Sequence, residues 1–277
     1  MSPLTESTRL TLAKTYVGID DPDAAAYITA VEAADTAAGQ SGGLETATKV
    51  AIHSFVKGCK ADGIWTAIKA SCILAGARTL AGALMPLAGA APTNIGPFVS
   101  GDYNRKTGLV GNGTSKYLNS NRTTNADPQN NKHLGIYVST GDSKPSGFPF
   151  YLSGGGAGVV GIIRDASINT LGFYASNVPN PLLVANQGNT TGFKGVFRNN
   201  SSTISGRTGG TTTSGSSTST AETITSNIVV FADNYLNTIG NYSNARLAFY
   251  SIGESLDLAL LDTRVSALIT AFGVAIP

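Results

Sequence analysis

His133-Leu134-Gly135-Ile136-Tyr137-Val138-Ser139 sets an apolar side chain at every second position, through Leu134, Ile136 and Val138. A period of two is the spacing of a strand whose faces meet different surroundings, because successive side chains point to opposite sides of the backbone. Comparable runs recur at 116–118, 148–153, 159–164, 170–175, 182–184, 192–199, 224–232 and 245–252, with turn residues between them. Many short strands with almost no helical sequence between them predict antiparallel pairing in two stacked sheets. Thr, Ser, Gly and Asn fill residues 199–220, where Thr208-Gly209-Gly210-Thr211 supplies the two-glycine turn of a solvent-facing hairpin.

Upstream of this region the period lengthens. Asp21-Pro22 reads as an N-cap followed by proline at the first helical position, and Ala24, Ala25, Tyr27, Ile28, Val31 and Ala34 follow at helical spacing. A second helix is predicted from Leu44-Glu45 to a left-handed cap at Gly58, and a third from Ile64 through Trp65, Ile68, Cys72 and Ile73 to Gly76. Helical spacing returns at Leu256, Leu258, Leu260, Leu261, Val265, Leu268, Ile269 and Phe272. The expected organisation is a helical N-terminal segment over residues 1–95, serving attachment or oligomerisation, and a β-sandwich over 96–277 that closes with a helix at about 256–272.

Composition limits what such a chain does. Hydrophobic residues make up 42% of the 277 and charged ones 13%, as in a folded chain and not a disordered one. Nineteen basic residues against 17 acidic ones, without long runs, give no field to draw in a phosphate backbone or an anionic membrane. Neither nucleic-acid binding nor membrane insertion is expected. Lys69, Arg78 and Pro86 interrupt the most apolar stretch, Ile64 to Leu87, and Met1-Ser2-Pro3-Leu4-Thr5-Glu6 lacks the basic and apolar regions of a secretory leader.

No catalytic, cofactor or metal site stands out. Cys59 and Cys72 lie in helix-patterned sequence and read as buried thiols, while His53 and His133 join no Cys/His cluster. Gly156-Ala157-Gly158-Val159-Val160-Gly161 has the glycine spacing of a dinucleotide loop, but a short β-branched stretch follows it where a helix is required, so a glycine-rich hairpin or close strand crossing is predicted. Asp102, Asp127, Asp142, Asp165, Glu222, Asp233 and Glu254 are scattered, without the paired carboxylates of a glycosidase. Asp20-Asp21-Pro22-Asp23 reads as helix capping, since it lacks the glycine turn and distal glutamate of a calcium loop. Trp65, Tyr117, Tyr137, Tyr151 and Tyr174 are the aromatic candidates for stacking on a sugar, with core packing the rival account, above all for Trp65. Asn-x-Ser/Thr triplets begin at Asn112, Asn121, Asn189, Asn199, Asn200 and Asn241 and mark an amide- and hydroxyl-rich surface.

Asp62-Gly63-Ile64-Trp65, Ile68-Lys69-Ala70, Leu80-Ala81-Gly82-Ala83-Leu84-Met85-Pro86-Leu87 and Gly101-Asp102-Tyr103-Asn104-Arg105-Lys106-Thr107-Gly108-Leu109 resemble structural proteins of tailed bacteriophages, notably those of cyanobacteria. So do Lys116-Tyr117-Leu118, Asn119-Ser120-Asn121-Arg122 and Asn125-Ala126-Asp127-Pro128-Gln129-Asn130-Asn131, while Phe249-Tyr250-Ser251-Ile252-Gly253-Glu254-Ser255-Leu256 is similar to the last strand of laminin-G-like, concanavalin A-like sandwiches. The resemblance covers roughly residues 44 to 272. It implies a mainly β, antiparallel jelly-roll sandwich in a virion protein assembled in the host cytoplasm. The role implied is a tail-fibre or appendage component with a lectin-like sandwich facing a host receptor or glycan. A head or tail decoration protein that meets only virion proteins is the alternative, and a polysaccharide depolymerase a more distant one. Other virion proteins are the implied partners, with a homo-oligomer, a trimer by analogy with fibres; no catalytic residue and no metal ligand of plant lectins carries over.

Overall fold

Asp21 starts the first helix as its sequence dictates. Its carboxylate accepts from the backbone N–H groups of Asp23 and Ala24 at 3.0 and 3.1 Å, and Pro22 takes the first turn, where a missing N–H costs nothing. In this computed structural model, which describes residues 18–177 and 181–277, α1 (Pro22–Ala37) buries Ala24, Tyr27, Ile28 and Val31. The Met1–Glu6 stretch read for a leader lies outside the described residues. Helix α2 (Thr46–Ala61) begins where expected but runs past Gly58, which is therefore not a C-cap. A Cβ at Gly58 would collide with the Arg264 guanidinium, and the left-handed residue is Gly63, with φ +71°.

The third helix expected from Ile64 does not form. A single 3-10 turn at Trp65–Ala67 leads into β1 (Ile68–Ile73), which pairs antiparallel with β17 (Arg246–Gly253) at the other end of the sandwich sequence. Ala70, Cys72 and Leu74 join the core between the sheets, and Ile68 and Ile73 join the core under the helices. A strand buried on both faces is apolar on both, so residues at helical spacing can be picked from it. Strands thus begin at residue 68, well before 95, and a four-residue helix α3 (Leu80–Ala83) follows.

The remaining strands, in chain order, are β2 (Thr93–Ile95), β3 (Tyr103–Asn104), β4 (Gly108–Val110), β5 (Tyr117–Thr123), β6 (Lys132–Thr140), β7 (Phe150–Gly154), β8 (Val160–Asp165), β9 (Thr170–Ala175) and β10 (Leu182–Val184). After them come β11 (Gly192–Arg198), β12 (Thr203–Thr208), β13 (Thr211–Ser216), β14 (Asn227–Val230), β15 (Asp233–Tyr235) and β16 (Thr238–Gly240), and the helix α4 (Leu258–Ala275) follows β17. One sheet runs β13-β12-β11-β6-β17-β4-β3, with β1 on the β17 edge beyond β4; the other runs β10-β9-β8-β7-β14-β5-β2. Every ladder pair is antiparallel, and the chain crosses repeatedly between sheets, as expected of a mainly β jelly-roll sandwich with helices before it and a helix at its end.

Leu134, Ile136 and Val138 of β6 face Ile162, Phe173 and Val230 of the opposing sheet across the sandwich core. A second core lies on the outer side of the first sheet, where Phe193 and Phe249 pack under α2 and α4, with Phe55 edge-on to Phe249 at 5.8 Å. Gly135 and Gly195, paired across β6 and β11, leave Leu261 and Leu258 room to approach the backbone. Helix α4 is long and apolar enough to cross a membrane. Its stripe of Leu258, Leu261, Val265, Leu268 and Phe272 is nevertheless buried against the sheet, and its Asp262 and Arg264 are ion-paired with Arg207 and Asp62 at 2.8 and 2.6 Å. The Gly209-Gly210 turn, with φ +56° and +76°, joins β12 to β13 as predicted, since only a residue without Cβ enters that region freely.

Candidate ligand-binding face

Helices cover the outer side of the first sheet, so the outer side of the second is the broad surface available for contact. There the short hairpin β15–β16 lies over β7 and β14 and leaves β8, β9 and β10 uncovered. Register places Ser153, Gly161 and Tyr174 side by side across β7, β8 and β9, and Phe150, Ile163, Gly172 and Leu183 in the next row across to β10. With no side chain at Gly161, the Phe150 ring lies down over it, and its centroid stacks 6.5 Å from that of Tyr174 at an interplanar angle of 27°. Phe150 is buried, Tyr174 half-buried and Leu183 59% exposed, so the row opens to solvent only towards β10.

A polar edge borders this platform. The Asp233 carboxylate accepts from the Ser153 hydroxyl at 2.7 Å and is bonded to the Asn241 side chain. Burial raises its pKa above the usual carboxylate range, and those two hydrogen bonds oppose the rise. Asp233 also raises the Tyr174 phenol electrostatically, adding to the larger effect of burial. Phe150, Ser153 and Asp233 are buried, so the groups open to a ligand are the half-buried Tyr174 ring and the exposed Asn241 amide, which suit a ligand with an apolar face and a hydroxyl rim. Of the eight large apolar side chains that stand exposed among the described residues, five, Phe148, Ile168, Leu183, Tyr235 and Leu236, belong to this sheet's edge strand β10, its connections or the hairpin over it.

The other aromatic candidates are placed elsewhere. Tyr151 is fully buried, its hydroxyl donating to the Gly188 carbonyl at 2.6 Å, and Tyr137 packs under the helices. Tyr117 pairs with Tyr242 at 6.3 Å. Trp65 packs partly against the helical core, donating from Nε1 to Asp23 at 3.1 Å beneath the Lys60 ammonium. Phe150, Asp233, Ser153 and Asn241 were not marked by sequence as members of one site.

The scattered acids each have a partner of their own. Asp102 pairs with Lys116, Asp127 with Arg122, Asp142 with Arg164 and Glu254 with Lys69, while Glu222 accepts from the Gly156 N–H and Asp165 from the Ser167 N–H. Gly156 and Gly158 sit in the β7–β8 connection, where a Cβ at Gly158 would strike the backbone of Thr220 and Glu222; the motif is a close chain crossing, as predicted. His53 contacts Asp20 at 2.6 Å, and His133 is bonded to Ser251 and to the Glu254 carbonyl, with burial lowering its pKa to about 4. Cys59 and Cys72 are free and buried, their thiols pushed up to about 12 by desolvation. Among the described residues no three His, Cys, Asp or Glu side chains converge as metal ligands. The asparagines of all six Asn-x-Ser/Thr triplets are exposed.

No family model matches the sequence, and no curated protein sequence matches it. Among solved structures, the chain is similar to the binding domain of botulinum neurotoxin serotype D, with a TM-score of 0.49 and 10% identity over 73% of this chain and 51% of that one. It is similar to the Ruminococcus gnavus IT-sialidase CBM40, at 0.39 and 8% over 49% and 83%, and to the leech intramolecular trans-sialidase complexed with 2,7-anhydro-Neu5Ac, at 0.37 and 10% over 57% and 26%. The chain thus spans about a quarter of the leech enzyme.

Proposed function

We propose that this chain is a non-enzymatic, lectin-like module of a tailed-phage particle, a fibre or appendage component that holds a host surface glycan on the open face of its second sheet. The observation that carries the glycan reading is the half-buried Tyr174, stacked on a buried Phe150 and flanked by the exposed Asn241 and the buried Asp233–Ser153 pair, on the broad face that the helices leave bare. A pyranose presents C–H bonds on one face and hydroxyls around its rim, which is the complement of that arrangement. The virion setting is supported by the sequence resemblance over residues 44 to 272.

The test is binding of the purified chain to isolated host envelope polysaccharide. Tyr174→Ala and Asp233→Asn should each weaken it by about tenfold, about 1.4 kcal/mol, with far-UV circular dichroism unchanged. Binding that ignores both substitutions, or no binding by the parent, would remove the glycan reading. Release of reducing sugar by the parent would turn the assignment to a depolymerase, and a map of the particle with this chain coating a lattice would turn it to a decoration protein.

A further inference from the structure

We propose that two copies of this chain join through strand β13, edge to edge and antiparallel, about a two-fold axis passing by Ser214. Strand β13 is the last in its sheet and is held on one side only, by β12. Its ladder with β12 runs over six residue pairs without a bulge. The two-glycine turn makes Thr208–Thr211 a hydrogen-bonded pair, so Thr211, Thr213 and Gly215 direct their backbone groups to β12. The bond from the Ser217 N–H to the Ser202 carbonyl, at 2.8 Å, continues the same alternation. Thr212, Ser214 and Ser216 consequently point N–H and C=O away from the sheet.

Free strand edges invite pairing, and proteins blunt them with charge, proline, bulges, short length or a cover. The second sheet ends in β2 and β10, three residues each, and the first sheet's opposite end is the two-residue β3. The outer edge of β1 is covered, its Ser71 bonding to Leu87 and Ala88. Strand β13 has none of these protections: Thr211-Thr212-Thr213-Ser214-Gly215-Ser216 is uncharged, lacks proline, and is exposed at five of its six positions.

A second copy fits this edge better than an unrelated strand does, because the outward row is self-complementary. Centred on Ser214, a two-fold axis sets Ser214 against Ser214 of the other copy and Thr212 against Ser216, and each pair exchanges two N–H···O=C bonds. No charge on the strand opposes its own image, and small hydroxyl side chains fit across the seam. Leu182 of β10 lies beneath Gly215, so the same rim brings apolar surface to the contact. The resulting pair is two-fold, in place of the threefold assembly drawn from fibre analogy, and it is independent of any glycan.

Sedimentation velocity of the full chain from about 1 to about 200 µM tests this, in a range that detects weak association. The parent should rise from 28.3 kDa towards twice that mass. Ser214→Pro removes the central outward N–H while sparing the bonds to β12, and it should weaken dimerisation at least tenfold with the melting temperature retained. Ser214→Lys and Ser214→Asp should each stay monomeric and pair again when mixed one to one, since only a residue on the axis meets its own copy. A parent that remains monomeric, a dimer or trimer indifferent to Ser214→Pro, or a Lys/Asp mixture that fails to pair would each overturn the proposal. A parent that captures only strands of other proteins is among those failures.

Discussion

Replacing Lys194 by methionine should change how stability depends on pH in a direction fixed by where the lysine sits. Lys194 is on the inner face of β11, opposite Ile136, and is fully buried. Its ammonium donates to the Gln187 carbonyl at 3.1 Å and to the Thr190 hydroxyl at 2.7 Å, and desolvation lowers its pKa from 10.5 to about 8. Keeping it charged at pH 7 therefore costs the fold about 3 kcal/mol, from 1.36 kcal/mol per tenfold. Methionine removes that cost but leaves two acceptors without a donor, at roughly 1–3 kcal/mol. The two nearly offset at pH 7, so the pH slope is the informative quantity. A folded-state pKa below the unfolded one means that the unfolded chain binds more protons between pH 8 and 10.5, and stability from this group rises with pH through that window. Between pH 7 and 9 the parent should gain about 1 kcal/mol over Lys194→Met in urea unfolding. Cys59, Cys72 and the buried tyrosines, all raised by burial, act oppositely as they titrate in the unfolded chain, but they are common to both proteins and cancel. Parallel stability curves for parent and variant would mean that Lys194 does not titrate at a lowered pKa in the folded chain.

Glu45→Gln should act at the acid end. Hydrogen bonding to Arg105, with Arg78 beside it, holds Glu45 at about 2, so its contribution is present above pH 4.5 and lost as pH falls towards 2. The variant should lack up to about 2 kcal/mol of that loss in acid unfolding, allowing for solvent screening. Phe249→Ala should cost about 3–5 kcal/mol by denaturant titration, because the ring is fully buried between the sheet and Phe55. Asp21→Ala, which removes the α1 cap, should cost about 1 kcal/mol in the same measurement.

Strands whose two sides meet different surroundings were legible in the sequence. Thr170–Ala175 and Leu182–Val184 form with the predicted limits, and β6, β8, β11 and β17 end within a residue or so of them. Strand β1 was hidden because it is buried on both faces, and β2, β3 and β4 because they are two or three residues without an unbroken apolar run such as Leu182-Leu183-Val184 to mark them. The turn of the β15–β16 hairpin has no glycine or proline to announce it and uses Leu236 and Asn237 at φ +53° and +62°. Leucine rarely adopts that conformation, so composition carried no signal there.

The site was harder to read for a related reason, visible in β11. Alternation in Gly192–Arg198 offers Phe193 and Phe197 as one face and Lys194, Val196 and Arg198 as the other, and the apolar rule would turn the phenylalanines into the sandwich. The structure does the reverse. Phe193 and Phe197 pack outward under the helices, while Lys194 and Arg198 lie on the inner face, with their charged ends bonded to loop carbonyls and hydroxyls. The helical layer makes the outer side of the first sheet a second core, so polarity no longer tells inside from outside on those strands. Tyr174 was marked in the sequence as one of five aromatic candidates. Phe150 comes from β7 and meets Tyr174 through the register of β7, β8 and β9, while Asp233 comes from β15, outside that sheet, and reaches the site through its bond to Ser153. That Tyr174 stands half-buried over a buried Phe150 there follows from where α2 and α4 dock: once they occupy the first sheet, the second sheet's outer side is the broad surface left bare.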